Sequence, residues 1–360
     1  MKDTDNNYVS MKRNLILCAI FTAGLIWSCG KNNTTEPPVV TPPFVSKPPE
    51  AFAGFLTVLT NDASRKIEIY DPTVENWNSA EAKKWSWTPT VSLGFVTADV
   101  NTFGGGTDFK LRKVPVWNNA EYAAITDNSF AAIVEYPSGQ RKWSKRLSGN
   151  LHSAELLPNG NIAIAASDGG WVRLYASSQG PDQEYYAEYP LISAHAVLWD
   201  PTTNVLWVTG QHATTKAHIL TALAISGTDA MPELTEIASW RTTIPSSWGH
   251  EISPYFGDNN LLWVTSNGGE YVYNKSTKTF SVAPTAGLTF VKGMANQLSG
   301  QIVLTRPDYN KNPRPIMNCG LNDWSTSTVD FYSSKGQLDG TRVVNGACFY
   351  KVKLLNSNYQ

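Results

Sequence analysis

The sequence predicts an all-β fold, a six-bladed β-propeller of four-stranded antiparallel blades. Three observations lead to this prediction. A strand–turn–strand unit recurs about every 40 to 50 residues, a repeat length typical of propeller blades. No segment of the body shows an amphipathic helical period. Aromatic residues are abundant, with 13 Trp, whereas charged residues make up only 16% of the 360 residues. This composition suits stacked sheets.

The repeated unit is clearest at residues 151–168. Residues 151–157 have the pattern of a short strand, and residues 158–161 form a tight turn in which Gly160 accepts a positive φ. Residues 162–166 then return antiparallel to the first strand. Related segments occur at residues 109–127, 194–211, 249–267 and 291–308.

The other strands of each blade follow from the neighbouring segments. Residues 171–175 read as a third strand, and Trp143 marks a fourth, outer strand. Blade one begins at residues 54–62, and residues 346–355 are expected to end the sixth blade. The innermost strand of blade one has two candidate sources, a C-terminal closure of the propeller or residues 47–53.

Each copy of the unit begins with a basic or imidazole side chain and ends sixteen or seventeen residues later on a polar one. The opening residues are Lys110, His152, His195, His250 and Lys292. The closing residues are Asp127, Asp168, Gln211, Asn267 and Asp308. Because the innermost strands of a propeller line its central channel, we expect the first set to converge at one channel mouth. The second set would form a ring behind it, where a carboxylate or amide fixes the tautomer of each imidazole.

This constellation predicts a binding site in the central funnel. A ring containing two lysines is cationic and favours a carboxylate, sulfate or phosphate group of a ligand. Alternatively, His152, His195 and His250 could hold a divalent metal ion as a cofactor. A third interpretation is a channel mouth that is merely hydrated. Trp248 and Trp324 could stack on sugar rings or pack between blades.

Charge and motifs exclude several other functions. The formal net charge is −1 and no basic patch carries interleaved aromatic residues, so we expect no nucleic-acid partner. The glycine run at residues 103–107 lacks the Lys-Ser/Thr pair of a phosphate-binding loop. No Gly-x-Ser-x-Gly elbow supports a serine hydrolase. We expect a monomer.

The N-terminus has the pattern of a targeting segment. Residues 1–29 resemble a lipoprotein signal, in which Met11 is the expected start, residues 15–26 are apolar and Cys29 is the lipidation site. An uncleaved membrane anchor is the alternative. Residues 30–50 are rich in proline and read as a disordered linker, followed by a single propeller domain at residues 51–360. The lipid on Cys29 would tether the protein to the outer membrane, facing the periplasm or the cell surface.

Two further cysteines lie in the body. Cys319 and Cys348 both fall in the part of the sequence assigned to blade six. In an oxidising compartment they could form a disulfide, and two buried thiols are the alternative. Two cysteines are too few for a tetrahedral thiolate zinc site.

Several phrases resemble known propeller families. Residues 151–160, 249–253 and 291–293 resemble an uncharacterised family of six-bladed propeller lipoproteins common in Bacteroidetes, and the resemblance covers residues 55–355. It implies no known activity, although such lipoproteins are often associated with glycan capture or breakdown.

Residues 152–161, His-x5-Pro-Asn-Gly-Asn, are similar to the repeat of bacterial arylsulfate sulfotransferases. That resemblance implies catalytic roles for His152, His195 and His250, one of which would accept a sulfuryl group, with lysines stabilising the oxyanion. The chain departs from that family in having no securely placed arginine partner. Propeller-type oligogalacturonate lyases are similar in holding a metal through funnel histidines, which implies a metal-assisted lyase.

Three functions therefore remain open. The first is a membrane-anchored binding module for a small anionic or carbohydrate ligand at the channel mouth. The second is an enzyme in the same funnel, either a metal-assisted polysaccharide lyase or a sulfuryl transferase. The third is a protein-interaction scaffold. Fold alone does not choose among them.

Overall fold

The computed structural model describes residues 47–359, which form six antiparallel sheets. The predicted signal segment at residues 1–29, the proposed start at Met11, the lipidation site at Cys29 and residues 30–46 of the linker lie outside the described residues. Within residues 47–359, no helix is long and apolar enough to cross a membrane.

The strands follow one another blade by blade. In the first three blades the strands are β1 (Thr57–Asn61), β2 (Lys66–Tyr70), β3 (Lys83–Trp87), β4 (Asp108–Val114), β5 (Ala120–Asp127), β6 (Phe130–Glu135), β7 (Arg141–Arg146), β8 (Leu151–Leu156), β9 (Ile162–Ala166), β10 (Trp171–Tyr175) and β11 (Tyr186–Pro190). In the remainder they are β12 (Ile192–Asp200), β13 (Val205–Gln211), β14 (His218–Gly227), β15 (Pro232–Glu236), β16 (Thr242–Thr243), β17 (Gly249–Pro254), β18 (Leu261–Ser266), β19 (Gly269–Asn274), β20 (Thr279–Val282), β21 (Gly293–Asn296), β22 (Ile302–Thr305), β23 (Thr328–Tyr332), β24 (Leu338–Val343) and β25 (Phe349–Leu354).

Helical structure is sparse in this part of the chain. The α-helix α1 covers Thr97–Thr102. Short 3-10 turns lie at Pro49–Phe52, Val91–Leu93, Pro115–Trp117, Ser177–Gln179, Ala238–Trp240 and Asp308–Asn310. The strand content and the sheet order confirm the prediction of a six-bladed propeller with four-stranded antiparallel blades, and β16 adds a short fifth strand to blade four.

The first blade is closed by the C-terminus of the chain. Its strand order is β25-β1-β2-β3, so β25 is the innermost strand and pairs with β1 in the register Leu59↔Val352. The expectation that residues 346–355 end the sixth blade is therefore wrong, since β24 is the outer strand of that blade. Of the two candidate sources for the innermost strand of blade one, the C-terminal closure is the one observed.

The core lies between neighbouring blades. Among the described residues, the buried apolar side chains form six clusters, each joining two adjacent sheets. Trp143, Trp207 and Trp263 are fully buried in three of these clusters. Aromatic side chains bury a large apolar area each, which explains why a chain with few charged residues and many Trp forms this architecture.

Close packing around the channel requires a small residue in β21. A Cβ atom on Gly293 would lie 2.6 Å from the backbone nitrogen of Val352, so only glycine lets β21 approach β25 this closely. This contact joins the last blade to the closing strand.

The end of the predicted linker is already part of the propeller. The Lys47 amide donates to the Asp339 carbonyl at 3.0 Å, and the Lys47 ammonium lies 2.6 Å from the Asp339 carboxylate. The turn Pro49–Phe52 follows directly, and Phe52 is buried against Phe331. The linker predicted for residues 30–50 therefore differs from the structure at residues 47–50, because Phe52 and its neighbours cover blade six.

Candidate functional site

A funnel at one mouth of the channel forms a cavity with a volume of about 710 Å³. Each blade contributes the residue at the start of its innermost strand. These residues are Tyr350 from blade one, Thr107 from blade two, His152 from blade three, His195 from blade four, His250 from blade five and Lys292 from blade six. The cavity therefore contains four of the five residues predicted to open the repeat.

Local backbone geometry turns these side chains toward the axis. The ladder shifts between Leu151 and Ser153, and again between Gly249 and Glu251, so that His152 and His250 each lie in an irregularity of their strand. A similar shift surrounds His195. β-bulges next to binding sites re-aim side chains in this way.

Lys110 is not at the funnel, which corrects the prediction. Its ammonium is buried and lies 2.5 Å from the Asp108 carboxylate, 2.9 Å from the Ser153 hydroxyl and 2.8 Å from the Ala154 carbonyl. Thr107 lines the funnel in blade two instead of Lys110. Its amide donates to the Thr126 carbonyl at 2.7 Å, at the start of the β4–β5 ladder. In the looser repeat at residues 109–127, the position that corresponds to the funnel histidines is therefore Thr107, three residues before Lys110.

A buried ionic network forms the floor of the funnel. Lys353 lies 2.5 Å from Glu251 and 3.3 Å from Asp108, while Lys351 lies 3.1 Å from Glu251. Lys351 also donates to the His152 carbonyl at 3.0 Å. Buried ions of this kind are stable only when they are paired, and here each lysine has a carboxylate within 3.1 Å.

Two of the three imidazoles are stacked. The rings of His152 and His195 are 4.3 Å apart with an interplanar angle of 19°, whereas His195 and His250 meet edge to face at 5.6 Å. His195 Nδ1 lies 2.9 Å from the Ser193 carbonyl, so it carries the proton and donates there. The Tyr350 hydroxyl lies 3.2 Å from His152 Nδ1.

His250 forms the polar centre of the site. Its Nε2 is 2.5 Å from Asn267 Oδ1 and 3.0 Å from the Lys292 ammonium, and its buried Nδ1 has no hydrogen-bond partner among the described residues. Asn267 is the one residue of the predicted second ring that contacts a histidine in the described structure. Asn267 lies against the imidazole of His250, whereas His195 uses a backbone carbonyl instead.

The other residues of the predicted second ring divide into two groups. Asp127 and Asp168 line the funnel, although neither contacts an imidazole. Gln211 points away from the funnel and donates to the Lys216 carbonyl at 3.0 Å. Asp308 is buried and accepts from the amides of Cys319 and Ser327, both at 2.8 Å. A single ring behind the histidines is therefore wrong, because the loops between the second and third strands differ in length and direction.

The imidazoles are uncharged at neutral pH. Burial lowers the pKa of His195 to about 4. Burial also lowers the pKa of His152 and of His250 well below the usual range, and neighbouring His195 and Lys292 add to this effect. The predicted cationic ring is therefore reduced to one charge, that of Lys292.

Lys292 has an unusual environment for a buried lysine. Burial and the nearby Lys351 ammonium lower its pKa to about 8, so it stays largely protonated at pH 7. The other buried lysines of the described structure each have a carboxylate partner, namely Lys110, Lys275, Lys351 and Lys353. No carboxylate of the described residues pairs with Lys292, whose ammonium lies 3.0 Å from His250 Nε2.

The opposite wall of the funnel is acidic, and of its three carboxylates only Asp62 lies outside the residues predicted from the sequence. Burial and the neighbouring Asp127 raise the pKa of Asp62 to about 7, and burial also raises the pKa of Asp127. Asn322 donates to the Asp62 carboxylate at 3.0 Å and Ser325 does so at 3.3 Å. The funnel thus has a basic, imidazole-rich wall and a carboxylate wall facing one ligand-sized space.

The histidines do not fit a metal site. Stacked rings direct their in-plane lone pairs side by side rather than toward one point, and an ammonium approaches His250 Nε2. Across residues 47–359, no group of three or more His, Cys, Asp or Glu could hold a metal ion.

A loop from blade six forms part of the funnel rim. Residues 306–327 connect β22 to β23 and bring Leu321, Asn322 and Trp324 to the cavity. Cys319 in this loop forms a disulfide with Cys348, which precedes β25. The sequence predicts that both cysteines lie in blade six, whereas the observed bond joins that blade to blade one.

Comparisons with known proteins agree with the fold. A family model described as a family of unknown function (DUF6528) matches residues 12–313. The chain belongs to this family. No curated protein matches the sequence.

Solved structures similar to this DUF6528 member have low sequence identity to it, and two of them with TM-scores above 0.5 share its fold. A protein of unknown function from Bacteroides caccae has a TM-score of 0.54 and 11% identity, over 83% of this chain and 98% of that one. A chain of a nidogen/laminin complex has a TM-score of 0.51 and 10% identity, over 84% of this chain and 99% of that one. A quinoprotein alcohol dehydrogenase-like protein from Bacteroides thetaiotaomicron has a TM-score of 0.42 and 11% identity, over 82% of this chain and 64% of that one.

Proposed function

We propose that the funnel binds a small acidic sugar or a similar polyhydroxylated anion, with its acidic group on Lys292. The observation that carries this proposal is the buried Lys292 ammonium, which faces the cavity without a carboxylate partner. Buried lysines are normally paired because an isolated charge is poorly solvated there. A carboxylate, sulfate or phosphate of a ligand would supply the missing partner.

The rest of the lining suits hydroxyl groups. Asp62, Asp127 and Asp168 offer acceptors on one wall, and neutral imidazoles on the other can donate or accept. Trp324 adds an apolar face at the rim, where it is 56% exposed. The cavity of about 710 Å³ lies within the range of about 300–1,000 Å³ that holds small ligands.

Binding of matched charged and neutral sugars tests this function. Glucuronate, galacturonate, galactose 6-sulfate and glucose 6-phosphate would be titrated by calorimetry against glucose and galactose. At least one acid should bind more tightly than its neutral counterpart. In Lys292→Met this preference should fall by about ten- to a hundredfold, because a charge-assisted hydrogen bond is lost.

The exposed Lys335 provides the matched control, since Lys335→Met removes an equal charge on a distant surface. Acids that bind no better than neutral sugars, or an unchanged preference in Lys292→Met, would contradict the proposed function.

We further propose that the propeller is displayed outside the cytoplasm by a lipid on Cys29. The apolar segment at residues 15–26 and the cysteine that follows support this address. The disulfide between Cys319 and Cys348 is also typical of oxidising compartments. Cys29→Ser should release the protein from the membrane fraction, and a variant that remains membrane-bound would contradict the lipid anchor.

A further inference from the structure

The funnel is continuous with a second, open cleft that the proposed binding of a small acid does not use. This cleft has a volume of about 800 Å³ and shares Asp62, Gly104 and Leu321 with the funnel wall. It runs over the surface toward Gly320 and Gly346. A ligand held in the funnel therefore has a path out along the molecule on one side.

The funnel is deeper than the cleft, so a ligand that occupies both has one buried end and one exposed end. Lys292 at the funnel base is 9% exposed, whereas Leu321 at the junction is 64% exposed. A ligand whose acidic end lies at Lys292 can therefore extend toward the exposed junction at Leu321.

The cleft has free space beside two of its glycine residues. A Cβ atom added to Gly320 or to Gly346 would meet no atom within 4 Å. The disulfide between Cys319 and Cys348 ties the two sides together beside these glycines. Asn322 also holds Asp62 at the junction, at 3.0 Å. These contacts attach the loop at residues 306–327 to blade one at the edge of the cleft.

We propose that the ligand is one end of an acidic sugar chain, bound end-on. This inference rests on the proposed function and names its substrate class. The terminal unit places its acidic group on Lys292, and the following units leave past Asp62 and Leu321 into the cleft. Trp324 at the rim lies where it can stack on the apolar face of the second unit.

Chain length provides the first test. Galacturonate and glucuronate would be titrated as monomers and as oligomers of two to four units. The trimer of the preferred sugar should bind at least about tenfold more tightly than the monomer. Calorimetry should give no more than one protein per chain, whatever the chain length, because only one end reaches Lys292.

Gly320 provides a matched pair of variants. Gly320→Asp places a carboxylate over the cleft, and Gly320→Asn places a neutral group of nearly the same shape there. Gly320→Asp should weaken the trimer about tenfold while changing the monomer by less than about twofold, since like charges repel at short range. Gly320→Asn should retain most of the trimer affinity, and added salt should reduce the difference between the two variants.

The outcomes separate the two proposals. If neither monomers nor oligomers of these acids bind, the proposed function and this inference both fail. If the monomer binds and the oligomers bind no more tightly, or if Gly320→Asp weakens both equally, the funnel function stands and the end-on chain is overturned. Several proteins per oligomer chain would likewise overturn it.

Discussion

At the scale of single residues, the site depends on where charge is left unbalanced. Lys351, which is an electrostatic neighbour of Lys292, and Lys353 are held by Glu251 and Asp108. Lys292 alone among these three faces the funnel, where its ammonium lies 3.0 Å from the uncharged His250 ring. Its charge is therefore available to a ligand, and the lowered pKa makes that charge sensitive to pH near neutrality.

Binding of an acidic sugar should depend on pH through Lys292. Its pKa of about 8 means that the ammonium is present below pH 7 and is lost as the pH rises through 8. Affinity should therefore be highest below pH 7 and fall by roughly tenfold per pH unit above 8. Asp62, with a pKa of about 7, becomes charged over a lower range and adds a smaller decrease.

Lys292→Arg separates the two groups, because arginine stays protonated throughout this range. The variant should lose the decrease above pH 8 when binding is measured from pH 5 to pH 10. A wild-type affinity that does not change between pH 7 and pH 10 would show that the Lys292 charge is not used.

Glu270 on β19 is a second buried group that responds to pH. Neither of its carboxylate oxygens has a hydrogen-bond partner on another described residue, and burial raises its pKa to about 7. The folded state therefore favours the protonated form, so its contribution to stability is complete below about pH 4.5 and is lost as the pH rises to 7. Glu270→Gln should raise the free energy of unfolding by about 1–2 kcal/mol at pH 8 and by little at pH 4.5.

Urea denaturation at pH 4.5 and pH 8 measures this difference. The exposed Glu81 is the control, since Glu81→Gln should change stability equally little at both pH values. An equal effect of Glu270→Gln at both pH values would contradict the assignment.

At the scale of elements, the loop at residues 306–327 shapes the rim of the site. It leaves blade six after β22, contributes Trp324 and Asn322 to the funnel and returns to β23. Its attachments are the disulfide to Cys348 and the buried Asp308, which accepts from two amides within the same loop. The position of the rim therefore depends on a covalent link between two blades.

Removing the disulfide should loosen this element and weaken the molecule. The bond between Cys319 and Cys348 closes a segment with a sequence separation of 29 residues. The double variant Cys319→Ser, Cys348→Ser should lower the free energy of unfolding by about 2–4 kcal/mol, as expected for a loop of this size. Denaturation of the oxidised wild type, the reduced wild type and the variant measures this cost, and equal stability in all three would contradict it.

At the scale of the whole molecule, the propeller is held as a ring by its last strand. β25 lies innermost in blade one, pairs with β1 and contacts β21 of blade six through Gly293. The closing strand gives blade one its innermost strand, and it also carries Lys351 and Lys353 of the buried ionic network. The same strand thus completes the fold, the floor of the funnel and, through Tyr350, its wall.

Truncations on either side of β25 test its role. A chain ending at Cys348 lacks the strand and should lose cooperative thermal unfolding, since β1 and the blade-six core become exposed. A chain ending at Leu355 keeps the strand and loses only the contacts of the tail, such as the Tyr359 hydroxyl bond to the Leu156 carbonyl at 2.7 Å. It should unfold in one transition at a lower temperature. Cooperative unfolding of the shorter chain in calorimetry would contradict this role for β25.

The blade repeat and the positions of three funnel histidines could be predicted from local sequence patterns. Strand alternation, the turn at Gly160 and the recurrence of His152, His195 and His250 are local features that repeat along the chain, so no long-range information is needed to read them. The looser copy at Lys110 shows where this reading fails, because one weak match left the register undetermined.

The other features of the site depend on contacts between distant segments and became visible only in the tertiary structure. Tyr350 reaches the funnel only because β25 pairs with β1 across nearly the whole length of the chain, as in Asn61↔Phe349. Asp62 lies beside it at the end of β1, the neighbouring strand of the same blade, and the unpaired state of Lys292 depends on which carboxylates Lys351 and Lys353 take. Strand register, burial and charge pairing between distant segments arise only when the ring closes. A local sequence pattern therefore cannot predict them.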